Sequence, residues 1–277
     1  MFSTLLEGIS TGTGEKIAGD WLQAIFSPAL LFWSGVLAFL CIVLLIICNT
    51  LMTWASRPIF RLLEGYFPTP FGAWLSRKMV AHAHGQLDKK IARLSQLAMR
   101  QDKDHTPSER QELIALDAEL TTHYPAKNLL PTKIGNLLRA AESYPQERYG
   151  LDSIIVWGRL WILLPEETRQ ELQHAQQRLD YSVQLIGWSI LFLIWGIWAW
   201  WTIPVALLAI FGSYHRAIYA VQIYAELIRA VFDLHRFKLY EAMHFHLPVD
   251  SNTETKSGEQ LTQYIFRGAI ESVTFKH

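Results

Sequence analysis

Apolar and polar positions are spread unevenly along the chain. Trp21 to Ser56 contains no charged residue, and neither does Tyr181 to Tyr214. Inside the first block, Ala29 to Cys48 (ALLFWSGVLAFLCIVLLIIC) is apolar on every helical face for 20 residues. As a helix it measures about 30 Å, the thickness of the hydrocarbon core of a bilayer. A cleaved signal peptide fits poorly. Glu7, Glu15, Lys16 and Asp20 precede the run instead of a basic cluster, and the run is too long for a signal core. The second block holds 34 residues, about 51 Å as a single helix. One crossing does not need that length, and two need slightly more, which the chain after Tyr214 supplies. Its middle reads WAWWTIP, where Thr202 suits a helix cap and Pro204 a first turn. Trp198, Trp200 and Trp201 suit a lipid–water boundary. The expectation is a hairpin, with spans near 182–200 and 204–223. One long span is the alternative.

The flanking charges favour three crossings. Lys16 alone precedes the first span, whereas Arg57, Arg61, Arg77 and Lys78 follow it. Arg169 and Arg178 approach the second span, the turn has no basic residue, and Arg216, Arg229, Arg236 and Lys238 follow the third. Basic flanks prefer the cytoplasm. The N-terminus and the WAWW turn are then expected outside, with Leu51–Asp180 and the C-terminus inside. Two spans would leave the basic run after Tyr214 outside.

The remaining periodicity is helical. Ile17, Ala18, Trp21, Leu22, Ile25 and Phe26 form an amphipathic stripe, read as an interfacial helix before the first span. Pro58, Pro68 and Pro70 mark an irregular stretch. Val80, His84, Leu87, Ile91, Leu94 and Ala98 make a coiled-coil-like seam on a helix from about 71 to 99. QDKDH ends that helix. Thr106-Pro107-Ser108-Glu109 is a capping box for a partner helix carrying Leu113, Leu116 and Leu120. Thr132 then caps a short helix that Tyr144-Pro145 should end. Gly150 suits a left-handed turn and Asp152 a second cap. Pro165 with Glu166-Glu167 starts a helix that continues into the second span. From Pro204 to His246 there are 43 residues, about 65 Å of uninterrupted helix that projects below the bilayer. Ser257-Gly258-Glu259-Gln260 reads as the cap of a last short helix.

The expected fold is therefore all-α: three transmembrane helices and a cytosolic helical domain continuous with the second and third spans. The divisions are an interfacial segment at 1–26, a first span at 27–54, a cytosolic domain at 55–180, a transmembrane hairpin at 181–224, and a cytosolic stalk and tail at 225–277.

Composition narrows the chemistry. The 277 residues contain 25 basic and 25 acidic side chains, so no global field draws in nucleic acid. With 51% hydrophobic and 18% charged residues, the chain is not disordered. Cys41 and Cys48 lie seven apart on one face of the first span, about 10 Å from each other, too far to bridge. The pairs His82/His84 and His244/His246 point in different directions on a helix and make poor metal clamps. Phosphate-loop, dinucleotide-binding, zinc-protease and nucleophile-elbow motifs are all missing. No catalytic residue, cofactor or metal is expected.

Two constellations stand out. Asn136, Arg139, Glu142, Arg148, Tyr149, Asp152 and Arg159 fall within 24 residues. Either they bind an anionic group or a partner through arginine forks, or they lock two short helices together as an ion-pair network. His215, Arg216, Glu226 and Arg229, with Asp233 beyond, lie at the inner edge of the third span. They are read as the rim of an ion path or as snorkelling groups and stalk pairs, Asp233 pairing with Arg229 or Lys238.

The 130–167 segment carries GNLLRAAESYPQERYGLD followed by WGRLWILLP. It resembles a signature of bacterial integral membrane proteins to which no activity is attached. EKIAGDWLQAIFSPALLFW, LIRAVFDLHRFKLYEAMHFHLP and GEQLTQYIFRG resemble the same group, so the likeness spans nearly the whole chain. It implies a bacterial inner-membrane protein with about three spans, and implies neither substrate nor cofactor. The chain departs from the pattern at His244-Phe245-His246. The functional expectation is a non-enzymatic scaffold, whose cytosolic face binds a protein partner or its own copies. An oligomeric membrane-perturbing or ion-conducting protein is the alternative. Its partners would be the lipid bilayer and protein, without direct nucleic-acid contact.

Overall fold

The computed structural model describes residues 28–99, 106–125 and 128–268. The amphipathic stripe at 15–26 and the QDKDH run lie outside the described residues. Among those described, the chain is all-helical, and three helices are long and apolar enough to cross a membrane. The residues divide into two compact units, one ending at Trp54 and the other beginning at Ala55.

Helix α1 runs from Pro28 to Glu64. Its apolar part leaves few polar groups to satisfy, and the hydroxyls of Thr50 and Thr53 donate to the carbonyls of Ile46 and Asn49 one turn back. Pro58 was expected in irregular chain but sits inside this helix. It removes one ladder bond. Ile59, Phe60 and Leu63 just beyond it pack on the core of the second unit, and that burial holds the helix through the proline.

Helix α2 spans Pro70–Ala98, capped by the Thr69 hydroxyl, and α3 spans Pro107–His123, opened by the expected Thr106–Glu109 capping box. They pack against each other. The seam differs from the expected one: Ala83 and Leu97 turn inward instead of His84 and Ala98, and Ile91 is exposed. Lys90 takes the inward position because its ammonium reaches Glu119 of α3 at 2.5 Å. Arg93 grips Glu112 with two bonds of 2.8 Å. Charge pairing, not the apolar repeat alone, sets the rotation of α2.

Helix α4, Lys133–Tyr149, starts at the Thr132 cap as expected. It does not stop at Tyr144-Pro145. Pro145 is inside the helix and buried, and the chain turns only at Gly150, whose φ of 71° provides the left-handed exit. Helix α5, Ser153–Leu163, is capped by Asp152, which accepts from the amides of Ile154 and Ile155. The Ser153 hydroxyl donates to the Glu142 carbonyl and pins α5 back onto α4.

Helix α6, Glu166–Phe192, follows Pro165 and loosens into a 3-10 turn at Leu193–Ile197. Helix α7 runs from Thr202 to Ala242, which is 41 residues and ends short of His246. The two form the hairpin, not one long span. Trp201, not Thr202, occupies the cap position. Thr202 has already entered the helix, and its hydroxyl donates back to the Ala199 carbonyl at 2.7 Å. Small buried residues, Ser182 and Gly187 on α6 with Ala206, Ser213, Ala217 and Ala220 on α7, let the helices approach closely. Arg216 lies over the Tyr181 ring at 5.5 Å, which places the inner ends of the two uncharged stretches at one level.

Helix α8, Ser251–Arg267, begins at an Asp250 capping box, seven residues before the expected cap. Gly258 was read as a helix start and is instead a contact. A Cβ there would lie 1.9 Å from the Tyr149 carbonyl oxygen, and one on Gly150 would lie 2.0 Å from that of Thr255. The pair of glycines lets α8 close directly onto the end of α4.

Two cores result. One, nearer the uncharged stretches, joins Ile134, Leu137 and Leu138 of α4 to Leu179, Val183 and Ile186 of α6 and to Ala217, Ala220 and Val221 of α7. The lower one gathers Val156 and Leu160 of α5, Phe232 and Tyr240 of α7 and Leu261 of α8.

Candidate functional site

The residues singled out between 136 and 159 do not share one site. Asn136 is buried. Its Oδ1 accepts from the Leu130 amide at 2.7 Å and its Nδ2 donates to the Leu130 carbonyl at 3.0 Å, closing the loop before α4. Asp152 is spent on capping α5. Arg159 donates to the Ile155 carbonyl on the exposed side of α5.

Arg139 and Glu142 lie 3.6 Å apart and line a cavity of about 440 Å³ with Arg61, Glu64 and Tyr66. Burial pushes the Glu142 carboxyl up, and Arg139 offsets this only in part. Two cations and two carboxylates largely cancel there, so the cavity has no strong preference for either sign of ligand.

Arg148 and Tyr149 belong to a third group, built across α4, α7 and α8. The Tyr149 hydroxyl donates to Asp233 at 2.6 Å and the Tyr144 hydroxyl donates to the same carboxylate at 3.0 Å. Asp233 therefore does not pair with Arg229 or Lys238, as expected from spacing on one helix. Burial, then the bond to Asp233, holds the Tyr149 phenol far above its ordinary range and so protonated. Arg236 lies over the Tyr149 ring at 4.2 Å and pairs with Glu254 of α8 at 2.6 Å. It also donates to the Asp233 carbonyl. Arg148 covers the outer faces of Tyr144 and Tyr149. The partners of Asp233 stand 84 and 89 residues away in sequence, so no local pattern could have found them. The arrangement satisfies its own charges and welds three helices together.

At the edge of the third span, Glu226 and Arg229 form a pair at 3.1 Å. Arg229 is buried and its Nη2 donates to the Thr122 carbonyl at 2.6 Å, tying α7 to the end of α3. Arg216 is held over Tyr181. His215 packs edge-on to Phe211 and faces a cavity of about 630 Å³. That cavity was not foreseen. Its walls come from α2, the end of α3, the start of α4 and the Tyr214–Gln222 stretch of α7. His123, in its wall, has its pKa pushed down by burial, while the bond from Lys90 holds Glu119 below the usual carboxylate range. Among the described residues no three acidic, histidine or cysteine side chains converge as a metal site. No protein-family model, curated protein or solved structure matches the chain.

Proposed function

We propose that this chain is a bacterial inner-membrane protein that acts as a non-enzymatic scaffold through its helical body. In this reading the N-terminus and the Trp198–Trp201 turn face outward. The body from Ala55 to Asp180 and the chain beyond Ala225 lie in the cytosol. The basic flanks of the spans support that orientation, and the sequence signature at 130–167 supports the bacterial setting.

The observation that carries the scaffold role is the outer face of α5. Ile154 and Ile162 lie two turns apart on that face and are each 75% exposed, with open space at Gly158 between them. On its other side Trp157 stacks against Phe232 at 6.0 Å. Phe232 is 16 residues past Arg216, about 24 Å along α7. Lipid does not reach that level, so an apolar strip there suits another protein surface, either a second copy or a partner. The double variant Ile154→Glu/Ile162→Glu is expected to abolish self-association or partner capture in mild detergent without changing the melting temperature. Assembly unaffected by the two glutamates overturns the reading.

The ion-conducting alternative has less support. Of its four rim candidates, Arg216 is held over Tyr181, and Glu226 and Arg229 are paired with each other, Arg229 also with the Thr122 carbonyl, although both line an open pocket as His215 does. A conductance above the empty-bilayer background in reconstituted membranes would reverse this preference.

A further inference from the structure

We infer that the cavity between α2, α3, α4 and α7 holds the phosphate-bearing headgroup of an anionic phospholipid. The position of the cavity is the first reason. Its α7 wall is Tyr214, His215, Ile218 and Gln222, which begins where the uncharged stretch ends and is level with the Arg216–Tyr181 contact. Under the membrane reading above, on which this inference rests, the cavity opens at headgroup depth. Its charge is the second reason. Lys78, Lys90 and Lys133 line it with His82, His123 and His215, against the single acid Glu119. Lys90 already neutralises Glu119. Gln86 holds the His82 ring at 3.0 Å and Gln222 that of His123 at 3.3 Å. The ammonium groups of Lys78 and Lys133 have no acidic partner among the described residues. Two lysines without a carboxylate partner, both in the lining of one space of about 630 Å³, match a phosphate diester.

Third, the cavity has an amphipathic wall. Met79, Leu137 and Ile218 supply an apolar side for the upper part of a glycerolipid. Lys78 also lies over the Trp74 ring at 4.1 Å, an indole–lysine pair suited to the boundary between acyl chains and headgroups. The dipole of α4, whose first residue is Lys133, adds to the positive field. A soluble phosphate shares the chemistry of the charged end but has no use for the apolar wall, so the lipid is the source assigned.

Native mass spectrometry of the full-length protein in mild detergent tests this. Phosphatidylglycerol is expected to remain bound at activation energies that strip phosphatidylcholine. Lys78→Gln/Lys133→Gln should lower its retention about thirtyfold, two cations being removed from the headgroup plane. Lys238→Gln/Lys256→Gln, on exposed positions elsewhere, should leave it unchanged. Melting temperatures of both variants are read alongside, and Lys78→Arg/Lys133→Arg should restore retention if the glutamines disturb the fold. Equal retention of the two lipids, or no loss in the first variant, overturns the site. Displacement of the lipid by millimolar inorganic phosphate overturns the lipid source in favour of a soluble anion. The membrane reading is judged separately and first: wild-type chain that stays monodisperse without detergent overturns that reading itself.

Discussion

The two helical layers that pack around α7 are held by different forces. The α4–α5–α8 layer closes over fully buried Phe232, Tyr240, Leu160 and Leu261, with glycines admitting backbone-to-backbone approach. The α2–α3 hairpin has no buried residue on α3, and Lys90–Glu119 and Arg93–Glu112 tie its helices together. Added salt does not screen apolar burial, whereas it weakens ion pairs that solvent reaches. The first layer is thus built as a fixed body and the second as an adjustable arm, and the cavity of about 630 Å³ lies where the arm meets α4 and α7.

The contrast can be broken most forcefully at Phe232. Phe232→Ala empties the lower core and should cost about 3–5 kcal/mol, read as a large drop in melting temperature in detergent. A small change would mean that the lower core is not what holds α5 and α8. Gly258→Ala comes next. The new methyl gains helix propensity but meets the Tyr149 carbonyl, and the net loss should be about 2 kcal/mol. A stabilised variant would show that α8 does not close on α4. Asp233→Asn weakens two phenolic bonds and should cost about 1–2 kcal/mol. In a double-mutant cycle with Tyr149→Phe the two losses should fail to add.

On the arm the effects are smaller and depend on solution conditions. Lys90→Gln should cost about 0.5 kcal/mol after solvent screening, speeding hydrogen exchange in α2 and α3 but not in α4 or α8. Raising the salt should shrink the difference between variant and wild type. Acid separates the layers by sign. The folded pKa of His123 is lowered from 6.5 and that of Glu119 from 4.5. Each therefore contributes stability above its unfolded pKa that is lost as pH falls through the folded one. The folded pKa of Glu142 is raised from 4.5, so acidification relieves a cost on α4. Exchange corrected for intrinsic rates should rise in α2–α3 as pH drops from about 6.5, while α4 is unchanged or better protected. Parallel behaviour in both layers would erase the distinction.

Elements dominated by local chemistry were legible in the sequence. The apolar run from Ala29 to Cys48, the WAWW turn and the caps at Thr106, Thr132 and Asp152 each depend on residues within one or two turns, and each forms as expected. Pro58 and Pro145 misled because tertiary burial overrides the helix-breaking tendency of proline. Gly258 misled because a glycine needed for closeness looks the same, in one dimension, as one needed for a turn. The seam of α2 kept Val80, Leu87 and Leu94 but moved by one residue at its alternate positions, because Lys90 could not be known to face Glu119 until α3 was laid beside it. The same limit hid the site. Asp233 and its two tyrosines, and the cavity walled by four separate helices, exist only once distant segments are brought together.

The clasp of Gly258 onto Tyr149 also constrains biogenesis. Leu261 seals a core that joins Phe232 and Tyr240 of α7 to Val156 and Leu160, made more than a hundred residues earlier. A ribosome must release α8 before that core can shut, and by then both arms of the α6–α7 hairpin have left the exit tunnel. The helical body is thus completed last, and until α8 arrives the apolar sides of α4 and α5 that it covers stand open to chaperones or to wrong neighbours.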